Sequence, residues 1–406
     1  IISGVKDGKS MTPLWVEGFE GEKTVRYFNG DYDHIRIDHN GYMPEINRSN
    51  NIMRTKGIFK ATEPIKPQII GSLYHPEKTQ IFFHPIMIYN IYNKHSYGLK
   101  IYNQFLPKGG FAYKVIPLYS NGTKDFTGEI KLSYKKFSQT AKYHSLTLSV
   151  DARQYLYDYN KEYTRITPQL NIEFKKPSLR SKIYKYLNTS YVHLVKEEET
   201  LGFINAQFGY ANNRTINPFS AYSSIEKGYN YSKIQLGGFF RKMINQKKQL
   251  NIRGYIGYVN TEDNIYNLKM SAWNGSDDYM FNERVFSRDN SSNHNLPYQQ
   301  QYFSREGGLK HFTNDSLNSS QFLASTYIDY NLLKTMSLYA ELGTNGSKIA
   351  YGSGFTLNAI ANGPGFNGGL QLYLPLITEE SVVHFDNYSN ILRFNLYFNL
   401  GGLKFD

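Results

Sequence analysis

The stretch NILRFNLYFNL near the end of the chain alternates. Leu392, Phe394, Leu396, Phe398 and Leu400 fall on one side of an extended backbone, and Arg393, Asn395, Tyr397 and Asn399 fall on the other. The same period recurs upstream. From 126, FTGEIKLSYKK sets Phe126, Ile130, Leu132 and Tyr134 against Thr127, Glu129, Lys131, Ser133 and Lys135. From 146, LTLSVDARQYLY sets Leu146, Leu148, Val150 and Ala152 against Thr147, Ser149, Asp151 and Arg153. ITPQLNIEF, QLNIRGYIGY, MSLYAELG and LQLYLPL repeat the pattern. One such segment says little, but a long succession predicts an all-β protein.

A soluble sandwich or propeller also alternates, with its polar face in bulk water, where Lys and Glu would dominate. Here Tyr, Gln, Asn, Ser and mixed charges share that face, and the segments run to about ten residues or more, as in outer-membrane barrels. Tyr also gathers at segment ends, as at Tyr89 and Tyr92, Tyr155 and Tyr157, or Tyr229 and Tyr231, where interfacial girdles would sit. The expected fold is therefore a transmembrane antiparallel outer-membrane β-barrel of about 14 strands, with 12 or 16 also compatible, preceded by a small N-terminal β segment. Residues 1–60 read as the end of a soluble β module, 61–78 as a linker with Pro64 and Pro67, and 79–406 as the barrel. At the C-terminus, Gly401 and Gly402 shift the phase so that Leu403 and Phe405 take over the apolar face, as a bulge would.

Two connections raise separate questions. The stretch from Asn260 to Ser320 has no sustained period and reads as a surface loop, extracellular by its length. Within it, Asp277 and Asp278 beside Asn274 offer oxygen ligands of the kind Ca²⁺ takes, without the spacing of a full motif. The tightest turns, near Lys94, Asn245 and Leu333, each follow an odd-numbered segment in a count of fourteen, which places both termini outside if short turns are periplasmic. A missed strand, such as Ser353 to Ala361, would change that parity.

Composition narrows the chemistry. Among 406 residues are 36 Tyr and 26 Phe, no Cys, and a formal charge of +12. No apolar run approaches the ~20 residues of a spanning helix. The missing Cys excludes disulfides and thiolate metal sites and suits export. Lys and Arg occur singly or in pairs along the sequence, which argues for a solvated mixed-charge surface and against nucleic acid. The opening IISGVKDGKS carries neither a Met nor an apolar leader, as expected after processing or in the tail of a longer polypeptide.

Catalytic signals are few. H-E-x-x-H and G-x-S-x-G are missing, the GKS at 8–10 has Ser3 where a P-loop needs its first Gly, and GPGFNG at 363–368 runs into a strand where a dinucleotide fingerprint needs a helix. His34 and His39, near Asp31, Asp33 and Asp38, are the closest His pair, and exposed polar positions on a small β module explain them better than a metal does. The expectation is no catalytic, cofactor or metal residue in this chain. Glu129, Lys131, Asp151, Arg153, Glu173, Arg253, Asp329, Glu341 and Arg393 fall on the inward face as candidate lumen-lining residues, expected to neutralise one another in water.

A resemblance adds to this reading. Trp15, Gly18, Phe19, Gly21, Asp38, Pro44, Glu45, Asn47, Arg48, Asn50 and Asn51, followed by GSLYHPEKTQIFFHPIMIYNIY and FAYKVIPLYSNGTKDFTGEIKLSY, resemble the segment that joins peptidase to barrel in Bacteroidota proteins similar to gluzincin zinc aminopeptidases. It covers roughly residues 10–120. Such peptidases hold Zn²⁺ through the two His of H-E-x-x-H and a downstream Glu, and no position here matches those residues. The resemblance thus implies a bacterial outer-membrane anchor or assembly platform, with zinc chemistry in an upstream domain. Its partners would be outer-membrane lipid, that peptidase domain or other outer-membrane proteins. The alternative is a porin-like channel for a small solute.

Overall fold

The computed structural model describes residues 1–43, 49–57, 65–69, 71, 75, 78–104, 110–178, 180–197, 199–245, 248–289, 300–363, 366–379 and 391–400. The chain divides into two compact units, Ile1–His84 with Lys100–Ala112, and Pro85–Leu99 with Tyr113–Asp406.

In the first unit, β1 (Ile2–Lys6), β2 (Lys9–Leu14), β3 (His34–Ile37) and β4 (Ile52–Arg54) form an antiparallel sheet in the order β2-β1-β3-β4. Val5 and Tyr32 are buried in it. The aspartates around His34 and His39 are engaged: Asp31 by Lys6 and Lys56, Asp33 by the Asp7 amide, and Asp38 by the amides of Tyr42 and Met43. β5 (Ile65–Ile69), within the expected linker, pairs in parallel with the start of β6 (Thr79–Asn90). Pro44, Glu45, Asn47, Arg48 and Pro64 lie outside the described residues, as do Gly401, Gly402, Leu403 and Phe405.

The second unit is a long antiparallel meander. After β6 come β7 (Lys94–Tyr102), β8 (Phe111–Ser120), β9 (Phe126–Phe137), β10 (Tyr143–Asp158), β11 (Lys161–Phe174), β12 (Ile183–Lys196) and β13 (Glu199–Asn212). Then follow β14 (Phe219–Lys227), β15 (Tyr231–Met243), β16 (Gln249–Thr261), β17 (Phe322–Leu333), β18 (Met336–Thr344), β19 (Ile349–Gly363), β20 (Phe366–Thr378) and β21 (Arg393–Leu400). From β9 to β21 each strand pairs antiparallel with the next in sequence. Among the described residues, sixteen long strands run from β6 to β21, two more than alternation alone picks out. The additions are β14, whose SAYSSIEK is too rich in Ser to show an apolar face, and β19, whose Gly and Ser hide the period. With β14 restored, the turn at Lys94 falls at the opposite end of the meander from those at Asn245 and Leu333, so the three tight turns no longer share one side. The 363–368 stretch joins β19 to β20, with Pro364 and Gly365 outside the described residues.

Tyrosine has a structural use here. Tyr186 and Tyr222 lie across their register partners Gly209 and Gly237 on the next strand, where a Cβ would come within 2.1 and 2.3 Å of the ring. Only glycine admits that stacking, which restores packing that a bare glycine strand lacks.

The burial is inverted relative to a soluble fold. The apolar face is the exposed one, with Leu148 at 53%, Ile204 at 57% and Leu342 at 50%, while inward Lys233 and Arg393 are at 0%. Apolar side chains covering the outside and ions in the core require an apolar medium around the sheet.

Candidate functional site: the filled interior

The described parts of the connection between β16 and β17, residues 262–289 and 300–320, are packed against the inward face of the sheet, which corrects the expectation of a solvated surface loop. Its lack of a two-residue period reflects a different local code. Asp263, Asn274 and Asn314 each cap a single 3-10 turn, at Asn264–Tyr266, Gly275–Asp277 and Asp315–Leu317, by accepting from backbone amides two residues on. Short bridges hold the turns together: Leu268 with Ser319, Ser271 with Leu309, and Trp273 with Phe303. The Asp277 and Asp278 carboxylates serve this architecture. Asp277 accepts from the Asn274 amide, and Asp278 from the amides of Asn282 and Glu283 and from Arg288.

The packing is aromatic on one side. Trp273, Tyr279, Met280 and Phe281 of the segment are buried with Ile116, Leu118, Tyr155, Tyr163, Val192, Leu194, Phe203 and Tyr231 of the wall. A second cluster joins Leu268, Met270, Leu309 and Leu317 to Tyr255, Val259, Leu323 and Ala350. A third joins Ala272 and Tyr302 to Tyr339 and Tyr373. The Phe286 ring lies 6.2 Å from Tyr89 of β6 and 6.4 Å from Phe394 of β21. The first and last strands of the meander thus meet on one residue of the segment.

Five of the nine sequence-selected charges bind this segment. Glu129 on β9 accepts from Nε and Nη2 of Arg284, one on each carboxylate oxygen, with Tyr155 donating at 3.0 Å. Arg153 on β10 donates to the Asn282 carbonyl at 3.1 Å, and Asp151 orients it at 3.0 Å. Arg253 on β16 donates to the carbonyls of Glu306 and Gly307, Glu341 on β18 accepts from the Lys310 amide, and fully buried Arg393 on β21 donates to Ser271 Oγ and the Ala272 carbonyl. These contacts replace the water expected around them. Glu173 serves the wall alone, held by Lys135, Ser145 and Tyr184, and Asp329 bonds Asn251 and Ser337 across the sheet. Lys131 shares the inward face in register with Asp151.

Sequence reasoning missed the strongest partners. Lys233 on β15, fully buried, donates to Glu306 at 2.7 Å, and the rings of Tyr279, Trp273 and Tyr231 lie 5.0, 5.7 and 5.9 Å from its ammonium. Glu226 accepts from Tyr231 at 2.6 Å and from Tyr279, and Arg165 donates to the Met280 carbonyl and Asn282 side chain. A signal was present: nine Trp, Tyr or Phe in the 262–320 stretch (Tyr266, Trp273, Tyr279, Phe281, Phe286, Tyr298, Tyr302, Phe303, Phe312), interleaved with Arg284, Arg288, Arg305, Glu283 and Glu306, is the composition of a buried surface rather than of a solvated loop.

One cluster is sensitive to pH. His311 bridges Glu341 (2.7 Å from Nδ1) and Glu379 (2.6 Å from Nε2), while neighbouring Lys310 reaches into the rings of Tyr302, Tyr327 and Tyr373. Burial opposes charge on His311, but the two carboxylate hydrogen bonds outweigh it and hold the imidazolium up to about 9. Burial, aided by Arg253, pushes Lys310 down to about 7. A raised histidine stabilises the folded state fully below its unfolded value near 6.5 and loses that contribution as pH rises through about 9. Lys310 acts oppositely between about 7 and 10.5, so the two must be separated by mutation. The stability difference between the wild type and His311→Gln, followed by Trp273 fluorescence in a Trp15→Phe background, should be largest below pH 6.5 and vanish above pH 9. A difference independent of pH would remove the ionic role.

No protein-family model and no curated protein matches this chain. Among solved structures it is similar to BamA from Haemophilus ducreyi lacking POTRA domains 1-3, at 12% identity over 80% of this chain and 70% of that one, with a TM-score of 0.46. It is also similar to CdiB from Acinetobacter baumannii, at 11% identity over 79% of this chain and 59% of that one, with a TM-score of 0.36. Likenesses of this size carry no functional argument, and the chain's own residues must supply one.

Proposed function

We propose that the meander closes into a barrel spanning the bacterial outer membrane, its lumen occupied by residues 262–289 and 300–320, and that it serves as an anchor or assembly platform. The supporting observation is the inverted burial, organised in two outward aromatic levels. Phe126, Tyr258 and Phe322 mark one level, and Tyr134 and Tyr330 the other. Phe126 and Tyr134 are eight residues apart on β9, ~27 Å at ~3.4 Å per residue, or about 21 Å after a ~40° tilt, close to the ~25 Å apolar band of such barrels. The meeting of β6 and β21 on Phe286 supports closure. A porin-like path for a small solute is the weaker reading, because the same segment stands across it.

The strand ends that the two longest connections join, β16 to β17 and β20 to β21, lie at one end, which this reading assigns to the cell surface. The upstream peptidase and its zinc rest on the resemblance alone, and a reading frame upstream carrying H-E-x-x-H would test them. For the barrel itself, unheated and boiled samples should migrate differently on a detergent gel, because a sheet without edges resists detergent until boiled. Equal mobility with solubility free of detergent would remove the reading.

A further inference from the structure

Scattered along the sequence, the cations gather in space. The turns and strand ends at 135–144, 173–185, 212–219, 241–249 and 331–336 share one end of the meander, and their described residues include thirteen Lys and Arg against a single carboxylate, Glu173, itself held by Lys135. At the other end, the described residues of 120–126, 158–162, 196–199, 226–231 and 344–349 include five Lys against six Asp and Glu. The chain's excess charge therefore sits on one rim.

Position gives this rim a use. Lys136, Lys176, Lys185 and Lys242 are exposed, and Lys136 and Lys242 lie in register on the apolar side, opposite Leu146 and Leu250. Three rim cations lie over aromatic rings at the edge of the apolar band: Lys185 over Tyr210 at 5.7 Å, Arg214 over Phe219 at 5.9 Å, and Lys248 over Tyr330 at 5.6 Å. Aromatic rings at an apolar boundary with ammonium groups reaching past them match the depth of phospholipid phosphates.

Resting on the membrane-barrel reading, we propose that this basic rim is a binding surface for the headgroup phosphates of anionic glycerophospholipids in the leaflet around it. The cations are spread over five turns rather than converging on one pocket, so the partner is a lipid surface and not a single soluble phosphate. Rim lysines that reach the headgroups each contribute roughly fivefold to local lipid preference.

The test reconstitutes the full chain into vesicles of phosphatidylcholine mixed with phosphatidylglycerol and measures the phosphatidylglycerol fraction of the lipid that stays bound on extraction. The wild type should be enriched at least about fivefold over bulk, and 0.5 M salt (roughly a 4 Å screening length) should reduce that enrichment. K136E/K176E/K185E/K242E should return to the bulk ratio, whereas K124E/K161E/K227E/K348E at the opposite rim should not. If the fourfold rim variant fails to fold, K136Q/K185Q should show an intermediate loss. No wild-type enrichment, or equal loss from the opposite-rim control, in protein that still shows heat-dependent mobility would overturn the lipid surface alone. Failure to insert into any vesicle would overturn both it and the barrel.

Discussion

Replacing Glu306 with alanine should loosen the lumen segment at a cost of about 3–5 kcal/mol, the usual consequence of leaving one ion of a buried pair without its counter-charge. Glu306 accepts from Lys233 at 2.7 Å, from the Lys269 amide at 2.6 Å and from the Trp273 indole at 3.2 Å, so three donors lose their partner together. Trp273, buried in the wild type, should then shift its emission to longer wavelength, and the 262–320 segment should become a protease target in otherwise folded protein. Lys233→Met combined with Glu306→Gln should recover most of the loss, because it removes the stranded charge. If the double variant is as damaged as the single one, the segment is held by something other than this pair.

The two faces of β9 should respond in opposite ways to the same substitution. Ile130 is outward, exposed, and four residues from both Phe126 and Tyr134, which puts it near the middle of the proposed apolar band. Ile130→Arg should cost ~2–4 kcal/mol, as charges at the midplane of a barrel's lipid face do. Ser133 points inward, in register with Ser149, on the polar face of the sheet. Ser133→Arg should fold and insert nearly as well as the wild type. Refolding into lipid vesicles, read by heat-dependent mobility, distinguishes the two, and equal damage would show that the inward and outward faces are wrongly assigned.

The strands could be read from the sequence wherever apolar residues occupy every second position, as in β9, β10 and β16. Reading failed at β14, where Ala221 and Ser223 interrupt the outward face before Ile225, and at β19, where Ala350, Gly352 and Gly354 give Ile349, Tyr351 and Leu357 no polar face to alternate with, so that Ser353 to Ala361 entered only as an example of a missed strand. The wall's half of the site was equally legible, because Glu129, Arg153, Arg253, Glu341 and Arg393 interrupt clean alternation on one face. The other half was hidden for a physical reason. The described residues of 262–320 fold through Asx caps and isolated bridges, which have no period, and they are held by pairs more than 70 residues apart, such as Lys233 with Glu306 and Arg393 with Ser271. The basic rim was hidden likewise, since only the antiparallel return of each strand brings Lys136, Lys185 and Lys242 to the same end.

Planar-bilayer conductance addresses the central claim, a membrane barrel filled by its own connection, most directly. The full chain should insert and remain electrically silent, and a variant with residues 264–318 replaced by a short Gly-Ser turn should pass ions in steady steps. Steady conductance from the full chain, or a shortened variant that inserts and stays silent, would contradict it.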